Sequence, residues 1–155
     1  LTTIFKKLSK IHSFHLLIMG ATSYEISGVS YESVPWSSSS EINTLQRMDI
    51  GVYPLPLDDE WVQGKSGLKA LQYMALGIPT IATNVGCNNR VIQDGITGFL
   101  VRTEEEWIQR LSNLITDSQL RKSLGTNGRT KVLEEYSVEA NKNKYLDIFN
   151  NVYNS

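Results

Sequence analysis

Residues 64–67 read Gly-Lys-Ser-Gly and stand directly before an apolar helical pattern. The first backbone N–H groups of a helix have no intrahelical acceptor, and together with the macrodipole they form an anion site. Gly64 and Gly67 let an anion approach the main chain, and Lys65 adds a point charge. A turn that holds a phosphate-type anion is therefore predicted at Lys65, Ser66, Gly67 and Leu68. Gly-Lys-Ser also ends the P-loop, but Asp59 occupies the position five residues before Gly64 where that loop needs glycine. At about 100° per residue, Lys65, Lys69 and Gln72 fall along one helix edge, beside a stripe of Leu68, Leu71 and Ala75 expected to be buried. The plain alternative is a solvated lysine edge next to a core stripe.

Other residues offer weaker chemistry. Asp58-Asp59-Glu60 could hold a divalent cation on a nucleotide diphosphate, although acidic residues in a Pro-rich loop are more commonly just solvated. His12 and His15 could act as general bases, against a structural or surface role. Cys87 reads as a small packed residue rather than a reactive thiol. Trp36, Trp61 and Tyr53 could stack on a base or a sugar, or fill the core. Val34 ends a strand where a backbone group could meet a nucleobase, so Val34 and Trp36 are the candidate base contacts. Arg90 reads as a surface ion-pair residue sooner than a phosphate contact.

These residues need a frame to position them. The chain has 155 residues, 41% hydrophobic and 20% charged, enough for one folded domain with a sizeable core. A formal charge of −1 argues against nucleic-acid binding by bulk phosphate attraction. One cysteine excludes an internal disulfide and a cysteine-built zinc site, so a reducing compartment is expected. No apolar run is long enough to span a bilayer, and no signal peptide opens the chain. Residue 1 is Leu rather than Met and a helical pattern begins at once, which suggests a piece of something longer.

Helices are predicted over 2–11, 38–48, 66–76, 104–116, 118–124, 127–135 and 138–152, with a helical turn at 90–93. Ser38 and Glu41 have capping-box spacing at the start of the second of these. Strands are predicted over 15–19, 28–34, 49–53, 79–83 and 98–101. Near-continuous apolar strands separated by helices predict a parallel sheet with helices on both faces. In such sheets ligands bind beyond the C-terminal strand ends, which singles out residues 54–68 and 84–90. The last helix carries Tyr145, Ile148, Phe149 and Val152 on one side, a stripe expected to lack a partner.

With these motifs in place the chain resembles a known family. Gly67-Leu68, Met74-Ala75, Gly77 and Pro79, followed by Ile81-Ala-Thr83, resemble the signature of the family 4 retaining glycosyltransferases (glycosyl transferases group 1). Val85-Gly86, the stretch 94–101 (Asp-Gly-Ile-Thr-Gly-Phe-Leu-Val) and residues 120–128 match further family motifs in order. The strand and prolines of 49–56, with Trp36 upstream, look like one subgroup. The resemblance covers roughly residues 2–150. It implies an α/β fold, a Rossmann-like parallel sheet with helices on both faces. It also implies that residues 1–155 are the C-terminal, donor-binding half of a GT-B enzyme, with the first strand and the acceptor domain outside the chain.

The same resemblance implies the function. The full-length enzyme would transfer a hexosyl group from a UDP- or GDP-sugar to a saccharide or lipid-linked acceptor, as in polysaccharide biosynthesis. It would retain the anomeric configuration and use no metal and no cofactor. Lys65, Ser66, Gly67 and Leu68 then meet the diphosphate. The family's paired glutamates, for sugar and ribose, fall on Gly64 and Gln72, so a side chain is absent at the first and an amide replaces a carboxylate at the second. No residue of the chain takes the acceptor-side catalytic role. The expected setting is cytoplasmic, compatible with the inner face of a membrane and with peripheral attachment, and without nucleic acid. A non-catalytic nucleotide-sugar-binding module and a GT-B-like epimerase or phosphorylase are the alternatives.

Overall fold

The computed structural model describes residues 1–21 and 23–153. Its elements run α1 (Thr2–Leu8), β1 (Leu16–Met19), β2 (Tyr31–Val34), α2 (Glu41–Leu45), β3 (Gly51–Tyr53) and a 3-10 turn (Glu60–Gly64). They continue with α3 (Leu68–Ala75), β4 (Thr80–Thr83), α4 (Asn88–Val91), β5 (Phe99–Val101), α5 (Glu104–Thr116), α6 (Ser118–Lys131), a π-type turn (Val132–Tyr136) and α7 (Val138–Tyr153). Helices and strands alternate as expected, and every strand pairing is parallel. They form two sheets, β1-β2 and β3-β4-β5, with Met19 opposite Val34 and Tyr53 opposite Ala82 in register.

Neighbouring residues of one strand point to opposite faces, and here they enter different cores. Ile81 packs with Ile4, Phe5 and Leu8 of α1, Trp107, Leu111 and Leu114 of α5, and Leu124 of α6. Ala82 packs instead with Ala70 and Met74 of α3 and with Val91 and Ile92. The β3-β4-β5 sheet is thus covered on both faces, and β4 is buried along its whole length. By contrast, the equally apolar β1 (Leu-Leu-Ile-Met) is only half-buried at all four positions. A cavity of about 940 Å³ lies beside it, lined by β1 residues Leu16 to Met19, by Ile50 and Val52 at β3, and by Phe5 and Leu8 of α1.

Three expectations are revised. Residues 118–131 form one helix, not two separated at 125–126. Gly125 and Gly128 act there as contact residues, not breakers: a Cβ on Gly125 would lie 2.0 Å from the Gly77 carbonyl oxygen, and one on Gly128 3.0 Å from that of Thr97. Helix α3 opens at Leu68, two residues later than its pattern suggests, because Gly67 sits in the left-handed region at φ 72°. Its fully buried residues are Ala70 and Met74, whereas Leu68 is exposed. Finally, Ser38 and Glu41 do not make a capping box: Ser40 is the N-cap of α2 and makes no side-chain cap bond.

Helix α7 has no buried residue, and Tyr145, Ile148, Phe149 and Val152 are all exposed, in keeping with the unpartnered stripe. No helix among the described residues is long and apolar enough to cross a membrane.

Candidate functional site

The loops after β3 and β4 meet beyond the C-terminal ends of those strands, and two side chains fasten them. The Thr83 hydroxyl accepts a bond from the Leu55 backbone N–H (2.8 Å). Buried Asn88 donates from Nδ2 to the Thr83 carbonyl (2.9 Å). A Cβ on Gly86 would lie 2.9 Å from the Val62 carbonyl oxygen, so glycine lets the 84–87 loop lie directly on the 3-10 turn. That turn is capped by Asp59, whose Oδ1 accepts from the Trp61 N–H (2.9 Å). Asp59, read from the sequence as a candidate cation ligand, therefore has a local structural function.

The turn delivers the chain to Lys65, which is extended. Ser66 follows, and left-handed Gly67 then starts α3, with its carbonyl accepting from the Leu71 N–H (3.1 Å). A Cβ on Gly67 would lie 3.1 Å from Val91 Cγ2, so α4 confines this turn from behind. No side chain caps the helix. The first-turn N–H groups belong to Leu68, Lys69 and Ala70, two residues beyond those of a helix starting at residue 66. Lys65 enters no ion pair among the described residues. Gly64, Lys65, Ser66, Leu68 and Lys69 line one cavity of about 400 Å³ together with Tyr53 and Trp61. Burial pushes the Tyr53 phenol pKa up. The cavity walls are thus a helix start, Lys65 without an ion pair among the described residues, and two aromatic rings, a set suited to a diphosphate with a sugar or base beside it.

The far edge of α3 is organised differently. Lys69 Nζ donates to Glu41 Oε1 at 3.0 Å, and Gln72 Nε2 donates to the same oxygen at 3.2 Å. The remaining amide oxygen, Gln72 Oε1, is buried and has no hydrogen-bond partner among the described residues. The Lys69 ammonium, the nearby Trp36 side chain and, less strongly, the Gln72 amide hold the Glu41 carboxyl below its ordinary pKa. Glu41 was legible only as a capping residue, and nothing in its spacing pointed to α3.

The remaining candidates scatter. Val34 ends β2 and its carbonyl accepts from the Gly20 N–H (2.9 Å), while Trp36 is exposed and lines the larger cavity with Gly20, Pro54 and Lys69. His15 precedes β1 and its Nδ1 is 2.8 Å from Ser30 Oγ. Cys87 is a half-buried free thiol at the start of α4. Arg90 lies in α4, where its carbonyl accepts from the Tyr136 hydroxyl (3.2 Å). Lys65, Gly64 and Leu68 are therefore brought together, Gln72 is turned toward α2, Trp36 lines the larger cavity, and Val34 lines neither cavity.

Comparison with known proteins bears on this arrangement. The family model described as glycosyl transferases group 1 matches residues 1–117. Trehalose synthase from Pyrococcus horikoshii is 28% identical over 112 residues, 72% of this chain but only 26% of that protein. The chain thus spans about a quarter of that relative's length. Among solved structures, the C-terminal domain of a glycosyl transferase group 1 family protein from Francisella tularensis aligns with a TM-score of 0.58 at 28% identity, covering 73% of this chain and 56% of that one. A mutant of S. aureus TarM, in complex with fondaparinux, alpha-GlcNAc-glycerol and UDP, aligns with a TM-score of 0.71 at 17% identity, over 96% of this chain and 32% of that one, a likeness of fold. Parallel strands, helices on both faces, a helix start at the strand ends and a family match over three quarters of the sequence converge: the chain belongs to the group 1 glycosyl transferases.

Proposed function

We propose that this chain is the donor-binding half of a retaining glycosyltransferase that moves a hexosyl group from a UDP- or GDP-sugar to a saccharide or lipid-linked acceptor. One observation supports this above the others: Lys65, in no ion pair among the described residues, stands beside the uncapped start of α3 in a cavity that Trp61 and Tyr53 also line. When the sugar leaves, negative charge grows on the departing diphosphate. Fixed backbone dipoles and a lysine already lining that cavity stabilise the charge with little reorganisation, which lowers the barrier. Lys65, Ser66, Gly67 and Leu68 are assigned to the diphosphate, Gly64 and Gln72 to the sugar and ribose side, and Val34 and Trp36 to the base. No metal is assigned a role. The acceptor and its catalytic residues belong to a second domain, and the reading places the enzyme in the cytoplasm at or near the inner membrane face.

An added strand completes the same picture. Among the described residues β1 and β3 each pair on one edge, with β2 and β4 respectively, and residues of both line the 940 Å³ cavity. An extended segment seated there would join the two sheets and bury β1 as β4 is buried.

Calorimetric titration with UDP, GDP and their sugars tests the donor site. Micromolar binding of one nucleotide is expected, weakened about tenfold by Lys65→Ala. Absence of heat with every nucleotide would remove the reading. A second reading, a module that binds the donor without transferring it, is favoured by the missing side chain at Gly64 and the amide at Gln72. Sugar-transfer assays on the full-length protein separate the two.

A further inference from the structure

We propose that Glu41, not Gln72, supplies the carboxylate that accepts the ribose hydroxyls of the donor, and that Gln72 and Lys69 are the residues that position it. The inference rests on the donor-binding reading above and names the residue that completes it. A vicinal diol offers two O–H donors and is best met by an acceptor-only group with two oxygens, which an ionised carboxylate is and an amide is not. At the ribose-side position of α3 there is only an amide, and its acceptor oxygen is sealed from solvent. Its N–H instead points to Glu41 at 3.2 Å. Lys69, one turn earlier on the same edge, points to the same Oε1 at 3.0 Å. Both bonds from α3 thus converge on one oxygen of a carboxylate that belongs to another element. The Glu41 side chain is 18% exposed, so a ligand can still reach it.

Location supports the assignment. Trp36 and Lys69, which flank Glu41, both line the larger cavity at the ends of β1 and β3, and Lys69 also lines the smaller one at the start of α3. A nucleotide with its diphosphate at Lys65 and its base toward Trp36 passes its ribose between them. The groups facing the carboxylate, namely Lys69, Gln72 and the Trp36 side chain, all favour its charged form. Helix α2 departs from its own capping signal in placing Glu41 there, since the side chain that could have closed a capping box is engaged across to α3.

The test compares each ribonucleotide with its 2′-deoxy analogue, using UDP and GDP on the full-length protein by calorimetry. Wild type is expected to prefer the ribo form by about tenfold or more, the range for a hydrogen bond to a charged acceptor. Glu41→Gln keeps the side-chain volume and should reduce that preference to within about twofold, with a smaller loss of affinity for the 2′-deoxy form, which still reaches the side chain through its 3′-hydroxyl. Gln72→Ala should give an intermediate preference because the carboxylate remains but is less firmly held. A purely structural ion pair would alter the affinity for both forms alike and leave their ratio unchanged. An unchanged ratio in Glu41→Gln, or a wild type that binds both forms equally, overturns the assignment and leaves the donor site standing. Absence of binding to any nucleotide by wild type overturns the donor reading itself. The wild-type comparison needs no variant, so it can overturn the assignment even if Glu41→Gln does not fold.

Discussion

Two helix starts in this chain carry the same local signal and use it differently. At α5, Thr103 and Glu106 close a full capping box: Thr103 Oγ1 accepts from the Glu106 N–H (3.2 Å) and Glu106 Oε2 from the Thr103 N–H (3.3 Å). Glu106 Oε2 also accepts from the Arg102 N–H at 2.6 Å. At α2, Ser38 and Glu41 have the same spacing, yet the helix is entered through Ser40 and Glu41 turns to Lys69 and Gln72. Both carboxyls are held below their ordinary pKa, Glu106 first by backbone N–H groups and Glu41 first by a lysine from another helix. The difference shows when a capping signal can be trusted. It acts locally where no stronger donor is within reach, and yields where tertiary structure brings an ammonium and an amide to the same carboxylate.

This contrast can be broken experimentally. The largest stability effect is expected from Thr103→Ala, which removes the N-cap acceptor of α5 and should cost about 1 kcal/mol in urea unfolding. A smaller loss would mean that α5 is held by tertiary packing alone. Next comes acidification. Both carboxyls have a folded-state pKa depressed below the ordinary 4.5, so their contribution is complete above that value and disappears as pH falls through the depressed values. Carboxyl NMR titration should show both resonances moving below 4.5, and Lys69→Met should return Glu41 toward it while leaving Glu106 where it was. The smallest effect belongs to Ser38→Ala, within about 0.5 kcal/mol of wild type, because that hydroxyl caps nothing. A loss comparable to that of Thr103→Ala would restore the capping box at α2.

A second pair of regions extends the lesson to strands. β1 and β4 are both apolar runs of the type found inside parallel sheets, yet all of β4 is buried and none of β1 is fully so. Native-state hydrogen exchange should protect the β4 amides by orders of magnitude more than those on the unpaired edge of β1. Equal protection would mean that the cavity beside β1 is closed in solution.

Much of the fold was legible because apolar period and glycine or proline punctuation are local properties. All five strands, the α3 region and the terminal helices were found that way, with the exposed stripe of α7 among them. Several boundaries moved, among them the first helix to Thr2–Leu8, the second strand to Tyr31–Val34 and the second helix to Glu41–Leu45. Two of the others were misplaced for one reason. Gly67 and Gly125 both look like punctuation, but the first sets a left-handed turn that delays α3 and the second permits close contact inside a continuous helix. A sequence records that a residue is glycine, and its neighbours in space determine which use is made of it. Of the candidate site, the turn at 64–68 was legible because the start of a helix is made by consecutive residues. The fastening of its loops by Thr83 and Asn88, and the convergence on Glu41, were not, since those partners are separated by 28 and 31 residues in the chain.

The sequence alone determined that this chain is an α/β domain with parallel strands, and its motifs placed it among glycosyl transferases, because periodicity and short spacings survive without tertiary context. The tertiary structure decided which carboxylate meets Lys69 and Gln72 of α3. An ion pair depends on distance through space, and no spacing along the chain measures how near α2 comes to α3.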